Sequence, residues 1–249
     1  MNAGLRIFSH AVILLFILGN LTLFPSSATA GTGYSCLFTS DTITLDGEWN
    51  EPAWQKALVL RFFVPPGGTK PLSPTEGRLL WDHRYLYVGF KAYDKDIMGS
   101  FTQRDSPTFR EDVLEIFFKP SDQNGCYYNF EINALGTVYD ALNDKTLNKA
   151  HDKGWNCGGL LLKIIINGTM NEKLDEDDSW QMEVAIPWED LPSLEGRKPR
   201  SGDVWLFHLA RYDYSQYLPE GVELSSCAPL TRVNFHNFRE WISLEFRGK

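Results

Sequence analysis

The chain has 249 residues, a formal net charge of −8 and a pI near 5.2. It contains no basic patch or lysine/arginine run, which excludes the electrostatic footprint of a nucleic-acid binder. Aromatic residues make up 14% and include eight tryptophans, more than a core of this size commonly needs, so some are expected to face a ligand.

In chain order, Arg6 and His10 precede an apolar run from Ala11 to Leu18, followed by Pro25 and SSATA with Ala28 and Ala30 in small-x-small positions. This pattern predicts a signal peptide over 1–30, cut after Ala30, and a secreted or periplasmic product. The run is interrupted by Gly19 and Asn20, too early for a stable membrane span. Residues 31–249 then have the size of one domain. The four cysteines Cys36, Cys126, Cys157 and Cys227 fall in this exported part and predict two disulfides, with the connectivity open.

The domain opens with ITLDGEWNEPAWQKA, where Asp46-Gly47 makes a turn, Pro52 starts a helical turn and Trp54 faces the core. Arg78 to Trp81 and Tyr85 to Tyr93 form a strand pair about Asp82-His83-Arg84. Asp94 and Asp96, with Asp105 and Asp112 further on, are loop oxygens of the type calcium takes; the plainer reading is acidic turn residues.

Asp112 to Phe118 and Tyr127 to Asn133 both alternate with period two around the turn cluster KPSDQNG, which predicts an antiparallel hairpin. Leu114, Ile116 and Phe118 join Tyr128, Phe130 and Ile132 on the apolar face. The other face carries Glu115, Asn129, Glu131 and Asn133 beside tyrosine and phenylalanine. Carboxylates and amides next to rings suit a sugar, whose hydroxyls take hydrogen bonds and whose C–H faces stack. The alternative is an ordinary solvated sheet face.

Further along, Leu160 to Ile166 reads as a buried strand, Trp180 to Ile186 as an alternating one and Val204 to Tyr212 as another. In the last of these, His208 shares a row with Val204, Leu206 and Ala210, so a hydrogen-bonded core histidine is expected there. Trp241 to Phe246 closes the chain as a final strand. Short strands with no long amphipathic helix predict an all-β fold, an antiparallel β-sandwich.

Taken in order, DGEWNEPAW, LLWDHRYLYVGFKAYD, REDVLEIFFKP, YYNFEINALGTVYD, WQMEVAIPWEDL and NFHNFREWISLEF resemble the family 9 carbohydrate-binding modules and their family 9-like relatives in the DOMON superfamily. The resemblance runs from about Ile43 to Phe246. It implies a jelly-roll or immunoglobulin-like sandwich that binds a poly- or oligosaccharide without cleaving it, alone or serving glycoside hydrolases. Carried over by position, two ring clamps fall on Phe109 and Phe235 and the acidic position of the D-x-x-E pattern on Glu115. Glu131 stands where the family has arginine. Asn133, Arg232 and Asn234 lie beside these positions. The resemblance requires no cofactor; the structural calcium it implies would use Asp94 and Asp96. Two alternatives carry different chemistry: a glycosidase with Glu115 and Glu131 as its carboxylate pair, and a b-haem electron-transfer domain with Met98, His208 and His236 as ligands.

Overall fold

The computed structural model describes residues 33–120, 125–144, 149–152 and 154–249. The expected signal peptide, 1–30, lies outside the described residues. Among the described residues, no helix is long and apolar enough to cross a membrane.

The regular structure of the described residues is mostly strands: β1 (Tyr34–Phe38), β2 (Leu60–Arg61), β3 (Thr75–Trp81), β4 (Tyr85–Tyr93), β5 (Val113–Lys119), β6 (Cys126–Asn133) and β7 (Val138–Asp144). They continue as β8 (Lys149–Asp152), β9 (Leu161–Asn167), β10 (Ser179–Pro187), β11 (Val204–Tyr214), β12 (Val222–Ser226) and β13 (Ile242–Arg247). One short helix, α1 (Pro52–Lys56), has proline in its first turn and buries Trp54, as its sequence predicts. The indole nitrogen of Trp54 donates to Glu183 Oε1 at 2.8 Å.

The strands pair in the order β8-β7-β6-β5-β11-β13-β1-β3-β4-β10-β9, with β12 beside β11 and β2 beside β3. This ribbon curls on itself into a sandwich. A Cβ on Gly77 of β3 would come within 2.8 Å of Leu209 on β11, so the two halves meet where one residue has no side chain. Trp205 of β11 lies 5.9 Å from Trp188 and 4.8 Å from Phe246, closing the seam with rings. The sheet is mixed, not purely antiparallel: β1 runs parallel to both neighbours, Tyr34 opposite Leu244 and Leu37 opposite Leu80. The strand precedes Ile43, where the sequence reading begins the domain.

Other differences have local causes. Leu161–Asn167 is an edge strand, half-exposed along its length. Leu162, Ile164 and Ile166 face the core while Leu161 is 50% exposed, so the continuous apolar run hides a one-sided strand. The segments read as loops between Ala141 and Asn156 and after Tyr214 contribute β7, β8 and β12. The two expected disulfides are not formed: Cys36, Cys157 and Cys227 are free, buried thiols. They sit on separate elements, where Cys227 Sγ accepts from the Leu209 amide at 3.2 Å and Cys157 faces Asp190 Oδ2 at 3.6 Å. Burial raises all three thiol pKa values, that of Cys227 to about 12.

Candidate functional site

The hairpin pairs in the register its alternation predicts. Glu115 stands opposite Glu131, Ile116 opposite Phe130 and Val113 opposite Asn133. Adjacent strands extend that row, because Glu131 also faces Tyr139 of β7 and Glu115 faces Ala210 of β11. Directly paired residues share a sheet face, so Tyr139, Glu131, Glu115 and Ala210 form one line across four strands. The alanine leaves room at its end.

This face is roofed over a hollow, not an ordinary solvated one. A loop from Ser100 to Glu111 folds back over it and is tied down by the Glu111 carboxylate, which accepts from the Ser100 amide (2.6 Å), the Phe101 amide (3.1 Å) and Asn133 Nδ2 (2.5 Å). The segment from Phe235 to Trp241 covers the other side. Between the two roofs remains a cavity of about 500 Å³, with Glu115 and Glu131 on its floor and Phe109, Tyr139, Tyr212 and His236 around it. That volume lies in the range of small-ligand pockets.

The electrostatics follow from burial. Desolvation first, and the neighbouring Glu131 second, push the Glu115 carboxyl well above the ordinary carboxylate range. Glu131 accepts from Asn129 Nδ2 at 3.0 Å and from the Thr108 hydroxyl at 3.2 Å. Burial and the two glutamates also raise the Tyr212 phenol.

Because the folded chain holds the Glu115 proton after the unfolded chain has released it, the stability linked to this group is present in acid and is lost as pH rises through the raised folded value. Glu115→Gln, neutral at every pH, is expected to raise the unfolding free energy at neutral pH and to flatten its decline from about pH 5 upward. Urea unfolding across that range checks it; an unchanged pH slope would contradict the burial argument.

Of the residues read from the sequence, Phe109, Glu115 and Glu131 come together in the cavity. Phe109 is 40% exposed and presents a ring to the ligand space. Four others, Phe235, Asn133, Arg232 and Asn234, do not join them. Phe235 is only 4% exposed and packs on Tyr212 and His208, 5.5 and 5.4 Å away, so its successor His236 lines the cavity instead. Asn133 spends its amide internally, donating to Phe101 O and Glu111 and accepting from the Thr137 and Leu135 amides. It positions the roof. Arg232 is exposed and outside the cavity lining.

Sequence reasoning missed Tyr139 and Tyr212, and named His236 only as a haem ligand. Alternation from Ala210 would have placed Tyr212 on the glutamate face had the inward row of β11 been read correctly. That inward row is Trp205, Phe207, Leu209 and Arg211, whose partners on β5 and, for Trp205, on β13 are core residues. His208 therefore lies under the roof rather than in the sandwich core. Its expected hydrogen bond is absent: among the described residues neither ring nitrogen has a partner, and the ring stacks on Trp241 at 6.1 Å. Burial, helped by His236, lowers its pKa to about 3 and keeps it neutral.

The pair Asp94 and Asp96 does not make a calcium cage, which needs about six to eight converging oxygens. Asp94 accepts from the Asp96 amide and from Arg211 Nη2, at 3.0 and 2.8 Å, while Asp96 Oδ2 takes the Gln216 amide. The carboxylates that do converge are Asp94, Asp112 and Asp213, all buried. Arg211 reaches into that group, 3.3 Å from Asp213 Oδ1, and supplies there the positive charge an ion would bring. The haem ligand set is likewise not assembled. Met98 lines a different cavity from His236, and His208 is walled in by Phe117, Phe235 and Trp241.

The fold is similar to that of a Bacteroides uniformis ATCC 8492 protein assigned as carbohydrate-binding, with a TM-score of 0.68 at 17% identity over 87% of this chain and 100% of that one. A family 9 carbohydrate-binding module from Caldicellulosiruptor kristjanssonii solved with cellotriose gives 0.60 at 14% identity, covering 87% and 94% of the two chains. A module from the same organism solved with glucose gives 0.58 at 16%, covering 86% and 96%. No curated protein matches the sequence. At such identities the likeness speaks to the fold alone, but residues 45–248 match the family model for the carbohydrate family 9 binding domain-like proteins, and the chain belongs to that family.

Proposed function

We propose that this protein is an exported, non-catalytic carbohydrate-binding protein whose ligand enters the cavity above Glu115 and Glu131, stacks on Phe109 and donates hydroxyls to the two carboxyls. The observation that carries this reading is the in-register pair of glutamates on the cavity floor beneath a half-exposed ring. Aromatic faces with convergent acceptors are the chemistry a sugar ring needs. Family membership and relatives solved with cellotriose and glucose support it. The apolar run before Pro25 supports export, and a supporting role beside glycoside hydrolases belongs to the same reading.

A glycosidase is the weaker reading. Both carboxyls stand in one row of one sheet face, with Glu131 held by Thr108 and Asn129. Cleavage needs acids that flank the scissile bond.

Phe109→Ala should weaken binding of the sugar found by a glycan array by about tenfold or more in calorimetry. The side chain is largely outside the core, so the variant should fold as the parent does. An unchanged titration would remove the cavity from consideration.

A further inference from the structure

The cavity's charge distribution carries the reading from sugars in general to one class of sugar, and this step rests on the proposed function above. Two acidic side chains face each other in register on a buried floor. Among the described residues lining the cavity there is no lysine or arginine. The nearby Arg110 places its guanidinium 5.7 Å over the Phe109 ring but lines the neighbouring cavity with Glu111 and Tyr214. His236 contributes an imidazole whose Nδ1 is 2.9 Å from the Tyr127 hydroxyl. For Glu115, both effects acting on the carboxyl, burial and Glu131, disfavour its charge, and no cation offsets them.

Two carboxyls held side by side in a low-dielectric hollow need a shared proton or a cation. A neutral sugar offers only hydroxyls and leaves that proton as the sole counter-charge of the pair. A sugar carboxylate would add a third negative charge. An ammonium group brings one positive charge and three donors, enough for both carboxyls and a further acceptor. The surrounding rings favour it as well, since aromatic faces attract cations.

We infer that the cavity takes a sugar bearing a protonated amine, such as a glucosamine unit, with its ammonium seated between Glu115 and Glu131 and its ring face on Phe109.

Three trimers that differ only at C2 test this: cellotriose with hydroxyl, the β-1,4-linked glucosamine trimer with amine, and its N-acetylated counterpart. Calorimetry on the full domain at about pH 6.5 should give the glucosamine trimer at least about a tenfold advantage over both others. The advantage should shrink as salt is raised. In the Glu115→Gln/Glu131→Gln double variant, near-isosteric and checked for folding by circular dichroism, the ratio between the amine and hydroxyl trimers should fall towards one. Phe109→Ala should weaken the glucosamine trimer independently of charge.

Cellotriose binding as tightly as the amine would overturn this inference and leave the sugar site standing. Failure of all three trimers to bind would overturn both. A preference that survives the double variant would place the ammonium elsewhere and overturn the assignment to this cavity.

Discussion

Arg211→Met is expected to cost about 3–5 kcal/mol of unfolding free energy at neutral pH, because it strips the counter-charge from a buried acidic group. The guanidinium is fully buried, and both of its terminal nitrogens are engaged. Nη1 donates to Tyr93 O at 2.8 Å and to the Thr75 hydroxyl at 3.1 Å, while Nη2 holds Asp94 at 2.8 Å and lies 3.3 Å from Asp213. Methionine fills much of the same space but leaves Asp94, Asp112 and Asp213 facing one another in the interior. Burial already raises Asp112 well above its ordinary value and Asp213 to about 6 with the arginine present. Without it the folded carboxyls take up further protons that the unfolded chain releases, so the deficit against the parent grows as pH rises and shrinks towards pH 5. Urea midpoints at about pH 5 and 8 measure it; equal deficits at both would show that the arginine matters for packing rather than charge.

Trp205→Ala should be comparably severe, at about 3–5 kcal/mol, for a different reason. The indole stacks on Phe118 at 5.7 Å and meets Trp188 and Phe246 edge-on at 5.9 and 4.8 Å. Phe118 belongs to the hairpin half of the sandwich, whereas Trp188 follows β10 in the other half, so the substitution opens a void across the seam. Backbone strands cannot close that gap without breaking their ladders. A matched control is Leu161→Ala on the exposed edge of β9, expected to stay within about 0.5 kcal/mol. If thermal or urea unfolding finds the two substitutions alike, the ring cluster is not what joins the halves.

The hairpin of β5 and β6 was legible in sequence because β6 differs in kind on its two faces, greasy on one side and acid, amide or phenol on the other, and a turn cluster ties it to an alternating β5. Period two then fixes the partner of every residue. β11 was not legible by the same rule. Val204, Leu206 and Ala210 on one face look as apolar as Trp205, Phe207 and Leu209 on the other, so the alternation could not say which row is inside, and Arg211 went unrecognised as a core charge. The floor of the cavity was likewise readable and its roof was not. Glu115 and Glu131 are placed by strand pairing, a local rule. The loop above them is placed by Glu111 reaching Ser100, Phe101 and Asn133, contacts that no periodicity encodes. The choice between Phe235 and His236 is the same problem in miniature, since adjacent residues of an irregular segment point to opposite sides and only packing decides which goes under.

The parallel strand β1 has a bearing on where the domain begins. The family match covers 45–248, yet Tyr34–Phe38 is wedged between β13 and β3 and ladders to both. A recombinant fragment cut to the matched span would part the ribbon at its middle and bare two hydrogen-bonding edges at once, the situation that invites strangers to pair. The smallest autonomous version of this fold therefore starts upstream of the stretch that identifies its family, at or before Tyr34.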